Sequence, residues 1–99
     1  MALRAVAYWD GLTSGHFDWP PTVGTLIGTP TVFLDGRPVA VTGSTYVTHV
    51  NSKGIPHPSP TAIGTSNVTA YGMPVCRVGD LLSCGDMIAN GSNSVFMGP

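Results

Sequence analysis

Apolar and polar residues alternate from Leu3 to Tyr8, which predicts a first strand. A second strand-like run, Thr31-Val32-Phe33-Leu34, meets Asp35-Gly36, a strong two-residue turn signal, and Pro38-Val39-Ala40-Val41 returns from it. The same shape recurs further on, with Tyr71-Gly72 at the turn and Pro74-Val75-Cys76-Arg77-Val78 as the return strand. Gly72 keeps the residue that accepts a positive φ there. Pro38 and Pro74 open their return strands, where a missing N–H does least harm. The pattern therefore predicts short β-hairpins joined by loops rich in Gly, Pro, Ser and His.

The two hairpins are copies of one unit. Thr25 to Gly43 aligns without a gap on Thr61 to Gly79, an offset of 36 residues. Nine of the nineteen pairs are identical: Thr25/Thr61, Ile27/Ile63, Gly28/Gly64, Thr29/Thr65, Val32/Val68, Gly36/Gly72, Pro38/Pro74, Val39/Val75 and Gly43/Gly79. Repeats of this kind set the architecture before any local propensity does. A third, truncated copy runs from Ile88 to the end and matches Ile63 to Ala70 through its Ile, Gly and Val positions, with a short insertion after Ile88. The 17 residues from Ser44 to Pro60 are too long for a neutral connector in a chain of 99, so this loop is expected to be functional or tied down.

Composition narrows the class. Ninety-nine residues make one domain, residues 1–99. Four basic and five acidic residues leave a net charge of −1, which argues against a nucleic-acid binder or a polybasic membrane peptide. Charged residues are 9% of the chain, with no Glu, no Gln and the single lysine Lys53. Strong helix formers are scarce, while Gly (13) and Pro (9) are abundant, so the expectation is all-β. Disorder is excluded by a hydrophobic content of 42% at low net charge. No apolar run reaches the ~20 residues of a membrane-spanning helix. The N-terminus is a poor signal peptide, because its short apolar part runs into Trp9-Asp10.

The candidate chemistry lies in the connecting segments. All three histidines, His16, His49 and His57, fall outside predicted strands, and Cys84 follows the second hairpin. Gly43 is followed six residues later by His49, Gly79 five residues later by Cys84, and His16 follows the N-terminal strand in the same way. A loop histidine on its own is more often solvated than ligating, so spacing alone leaves both readings open. Ligand-type residues at repeat-equivalent positions favour a metal. Three imidazoles and one thiolate suit tetrahedral zinc in a closed, structural site. Cys76 sits in a strand-like run and reads as a small buried hydrophobe, which argues against a Cys76–Cys84 disulfide. Trp9 and Trp19 read as core filling. Catalytic readings are weaker: His16 and Asp18 could form an orienting pair with Ser14 nearby, but no nucleophile elbow is present. Asp35, Asp80 and Asp86 read as turn or cap residues.

The units Gly28 to Ala40 and Pro74 to Gly85 resemble PAAR-repeat proteins. The Pro-Ala-Ala-Arg stretch corresponds to Pro38-Val39-Ala40-Val41 and to Pro74-Val75-Cys76-Arg77, and Pro-x-x-Arg-x-Gly-Asp-x-x-x-Cys-Gly is the most specific part. Gly15-His16-Phe17-Asp18-Trp19-Pro20-Pro21 and the ending Gly91 to Gly98 also fit, so the resemblance spans nearly the whole chain. It implies a compact cone of short β-hairpins with approximate threefold repeat symmetry and a zinc ion near the vertex. Carried over residue by residue, the ligands would be His16, His49, His57 and Cys84. Cys76, at the second Ala, would be core. The first copy departs from the pattern: Val41-Thr42-Gly43-Ser44 replaces Arg-x-Gly-Asp, so the polar roles of that Arg and Asp are expected to be missing there.

The resemblance also implies a function. It is that of a non-enzymatic tip on a trimeric β-helical spike, one tip per trimer, in a type VI secretion system or a contractile phage tail. Effector cargo on its faces and transient contact with a target membrane would go with it, as would a place at a virion tail tip or export by type VI secretion. The rival reading is a small secreted zinc-binding effector or enzyme, which would need an open coordination position.

Overall fold

The computed structural model describes residues 3–26 and 31–98. The repeat positions Ile27, Gly28 and Thr29, and Pro30 of the PAAR-like unit, lie outside the described residues. Among the described residues ten strands appear in chain order: β1 (Arg4–Ala7), β2 (Phe33–Leu34), β3 (Arg37–Pro38), β4 (His49–Val50), β5 (Pro56–His57), β6 (Ala62–Ile63), β7 (Thr69–Ala70), β8 (Met73–Pro74), β9 (Leu81–Leu82) and β10 (Gly91–Met97). They form five two-stranded antiparallel sheets, and no helix occurs among the described residues. The all-β expectation holds.

The two predicted hairpins form in identical register. Leu34 faces Arg37 and Phe33 faces Pro38 in the first; Ala70 faces Met73 and Thr69 faces Pro74 in the second. Both central turn residues have positive φ, 54° and 77° at Asp35-Gly36 and 55° and 75° at Tyr71-Gly72. That is the primed turn whose twist suits a two-residue hairpin. The truncated third copy becomes β10 and pairs with β1, Arg4 facing Met97 and Ala5 facing Phe96. The two ends of the chain thus make a third ribbon that no turn connects.

Three segments, 5–9, 38–42 and 74–78, lock these ribbons together. Ala40 N–H donates to Ala7 O at 3.0 Å, Cys76 N–H to Ala40 O at 2.8 Å, and Ala7 N–H to Cys76 O at 2.9 Å, which closes a ring. A second ring lies outside it: Trp9 to Pro38 O, Thr42 to Pro74 O and Val78 to Ala5 O, at 2.8–2.9 Å. Each segment bends at its middle residue, pairing with one neighbour before the bend and with the other after it. Only small side chains fit where three backbones converge, and Ala7, Ala40 and Cys76 are all fully buried.

Neighbouring side chains of an extended segment point to opposite faces, so this ring separates two apolar clusters. Val6, Val39 and Val75 form one, packed with Leu34, Val41, Ala70 and Met97. Ala7, Ala40 and Cys76 join Tyr46, Ala62, Leu82 and Ile88 in the other, against which Trp9 and Cys84 pack. The Cα radius of gyration, 12.8 Å, matches the ~13 Å of a globular domain this long.

The first copy keeps one polar role expected to be lost. Asp80 accepts from the Arg77 amide at 2.9 Å through its carboxylate, and the Ser44 hydroxyl accepts from the Val41 amide at 3.0 Å. A short oxygen side chain at this turn position is what the backbone needs, and Ser supplies it as Asp does. The guanidinium contacts of Arg77, to Thr65 Oγ1 and Gly98 O, have no such replacement at Val41.

Candidate metal centre

Three loops leave the ring on the side of the larger cluster. In the first, His16 and Trp19 exchange backbone hydrogen bonds at 3.0 and 2.8 Å across the turn Phe17-Asp18. In the second, Asn51 Oδ1 accepts from the amides of Lys53 and Ile55 and shapes the turn between β4 and β5. In the third, the Gly85 amide donates to Leu82 O at 2.9 Å, which folds Cys84 back over the core. The loops are cross-tied: Asp18 accepts from the Ser52 amide, and Ser83 N–H donates to Thr61 O.

His49 and His57 were expected in irregular loop, but both lie on strands. They face each other directly across the β4–β5 pair. This register, set by the Asn51 turn, brings two imidazoles from the long 44–60 segment to one side. The segment is tied down, as its length predicted.

The ligand atoms of His16, His49, His57 and Cys84 all lie within 4.8 Å of one another. His57 Nδ1 is 3.3 Å from His49 Nε2, and Cys84 Sγ is 3.5 Å from the same nitrogen. Zinc bond lengths of about 2.0–2.1 Å to nitrogen and 2.3 Å to sulfur give tetrahedron edges of roughly 3.3–3.6 Å. Both nitrogens of His16 are buried and have no hydrogen-bond partner among the described residues. Buried polar atoms are normally satisfied. A cation among the four groups would satisfy one of them, so the residues fit a metal ion.

The surroundings favour the ligating forms. His49 Nδ1 faces the Pro20 carbonyl at 2.8 Å, so it carries the proton and leaves Nε2 free toward the cluster. Burial lowers the His57 pKa below the ordinary imidazole value, and the nearby His16 and His49 rings lower it further against an opposing pull from Asp86. The neutral ring is the form that binds a metal. Cys76 and Cys84 are both free thiols. Burial, reinforced by Asp80, pushes the Cys76 thiol up to about 12, which marks it as an inert core side chain.

Two roles differ from the sequence reading. Trp9 packs on the core as expected and donates to Thr45 O. Trp19 instead stacks on His57, ring centroids 4.0 Å apart and 9° from parallel, and its indole N–H donates to Ile55 O. It walls the candidate ligands. The His16–Asp18 pair does not form, because Asp18 turns to Ser52. The carboxylate beside His16 is Asp86, fully buried and 3.9 Å from its Nδ1. Its place in a Gly-Asp dipeptide pointed only to turn chemistry, and no sequence signal marked it.

No helix among the described residues is long and apolar enough to cross a membrane. No protein-family model matches the chain, and no curated protein matches it.

Proposed function

We propose that this protein is a structural tip that caps the end of a trimeric β-helical spike in a contractile injection system. In this reading a zinc ion held by His16, His49, His57 and Cys84 ties three loops together at the vertex. The zinc supplies a rigid cross-link, and the chain's own residues orient it: Pro20 fixes the His49 tautomer, Trp19 shields His57, and the ring of segments anchors all three loops. Four protein ligands leave no open position for a substrate, which favours a structural part over the rival effector or enzyme.

The observation that carries the reading is the apolar face on the other side of the ring. Val32, Val68 and Val95, one from each ribbon, surround a depression of about 170 Å³ floored by Val6, Val39 and Val75. The upper three are 37–50% exposed. Three repeat-related residues around one centre match a partner with a threefold axis, and the ring of hydrogen bonds supports an approximate threefold arrangement of this chain. An exposed apolar face of this kind is typical of a contact surface. The cone tapers, in this account, from that face to the metal.

The test is reconstitution with a trimeric β-helical spike. Native mass is expected to give one tip per trimer, and Val68→Asp is expected to abolish the complex while leaving the tip folded. A folded, metal-loaded wild-type tip with no affinity for such a spike would overturn the docking role.

A further inference from the structure

Asp86 is completely buried and is not among the four converging ligands. Its Oδ1 accepts from the Met87 amide at 2.7 Å and from the Ser14 hydroxyl at 3.4 Å. Its Oδ2 has no hydrogen-bond partner among the described residues. Among the described residues, the groups within 4 Å of it that can carry positive charge are two of the candidate ligands: His16 Nδ1 lies 3.9 Å from Oδ1, and His49 Nδ1 lies 4.0 Å from Oδ2. The arginines pair elsewhere, Arg4 with Asp80 and Arg37 with Asp10. Arg77 reaches Thr65 and Gly98. A buried carboxylate without a counter-charge is strongly unfavourable, and neutral imidazoles do not provide one.

We propose that Asp86 is the counter-charge of the metal centre and sets its preference for a divalent cation. The inference rests on the reading of His16, His49, His57 and Cys84 as metal ligands. Three neutral imidazoles and one thiolate around a dication leave one net positive charge. Asp86, against two of the ligand rings, cancels it. A monovalent soft cation such as copper(I) suits the same thiolate and imidazoles but leaves the centre with one net negative charge. Because Asp86 and His49 are buried, such an imbalance is only partly screened and becomes discrimination between cations. The Met87 amide holds the carboxylate in place, so it acts as a positioning and charge-balancing residue without touching the metal.

The experiment is a competition titration of zinc(II) and copper(I), each against a chelator of known affinity, on wild type and Asp86→Asn. Removing an outer partner of this kind costs about 10–100-fold in metal affinity, and the expected loss for zinc lies in that range. Copper(I) affinity is expected to fall less or to rise, so the zinc-to-copper ratio drops by about tenfold or more. Cobalt(II) spectra with the thiolate charge-transfer band retained would show the four ligands still in place in the variant. Asp86→Ser, which removes the same charge in less volume, provides the same reading should the carboxamide not be accommodated. An unchanged ratio, including equal losses for both metals, would overturn the proposal and leave Asp86 a loop-shaping residue. A wild-type protein that binds none of the three metals would overturn the ligand reading itself, a result distinct from an unchanged ratio.

Discussion

His49 donates from Nδ1 to the carbonyl oxygen of Pro20 at 2.8 Å, and the bond turns Nε2 toward Cys84 Sγ, 3.5 Å away. One loop thereby orients the ligand of another, and a metal between them would add a further cross-link to loops already tied by Asp18–Ser52 and Trp19–Ile55. Metal binding is then part of folding. Chelation is expected to lower the melting temperature by more than about 10 °C, since metal at 100 times its Kd already adds about 2.7 kcal/mol and each kcal/mol moves a domain this size by about 4–8 °C. Calorimetry with and without chelator checks this. Cys84→Ser is expected to remove most of the difference.

The two thiols should behave in opposite ways. Cys76 is fully buried with its pKa pushed up to about 12, whereas Cys84 is half-buried among the candidate ligands. Alkylation of native, metal-free protein is expected to modify Cys84 alone, and zinc is expected to protect it. Mass spectrometry after iodoacetamide treatment reads both, and native labelling of Cys76 would contradict the core assignment.

Asp35 links two ribbons. It accepts from Tyr8 Oη at 2.7 Å and from the hydroxyls of Ser92 and Ser94. The hydroxyl bonds, Ser92 first, lower its pKa below the ordinary carboxylate value, while the bond to Asp35 raises that of Tyr8. A lowered carboxylate contributes stability above its unfolded pKa and loses it as pH falls through the folded one. A raised phenol contributes below its unfolded pKa and loses it as pH rises through the folded one. Melting temperature is therefore expected to decline below about pH 4 and above about pH 10. Asp35→Asn should flatten the acid limb. An unaltered acid limb in that variant would show that this link contributes nothing.

Gly24 tests the packing of the first loop against the body. A Cβ there would fall 1.5 Å from Trp9 O, a backbone atom that cannot swing away. Gly24→Ala is expected to cost about 3 kcal/mol, the upper end of overpacking penalties. At Gly36 an added Cβ meets nothing within 4 Å, so the cost of Gly36→Ala is conformational, from a φ of 77°, and is expected to stay near 1 kcal/mol. Denaturant melts of the two variants give the order.

The repeat at an offset of 36 made much of this architecture readable, because turn chemistry is local: Asp35-Gly36 and Tyr71-Gly72 announce their hairpins without help from distant residues. Three of the four loop residues, His16, His49 and Cys84, were visible in a similar way, since each follows a strand at a comparable distance; His57 was marked only as a histidine of the long loop and by the family resemblance. Interactions between distant segments were not. β10 finds β1 across the length of the chain. The local β4–β5 pair was hidden for another reason: its strands are two residues each, too short for an alternation, so His49 and His57 read as loop. Trp19 looked like core because bulk suggests burial and says nothing of stacking on a particular ring. Asp86 looked like a turn residue because its burial depends on Ser14 and His16, some 70 residues away. Ser44 carries the backbone bond of Asp80 with a different side chain, an equivalence that letter-by-letter comparison hides.

His16, His49, His57 and Cys84 are expected to hold one metal ion. Elemental analysis of untagged protein, with native mass to count chains, tests it most directly. One zinc per chain, whose removal by chelation lowers the melting temperature, is the predicted result. A folded chain that carries no metal and takes up none when zinc is supplied would contradict it.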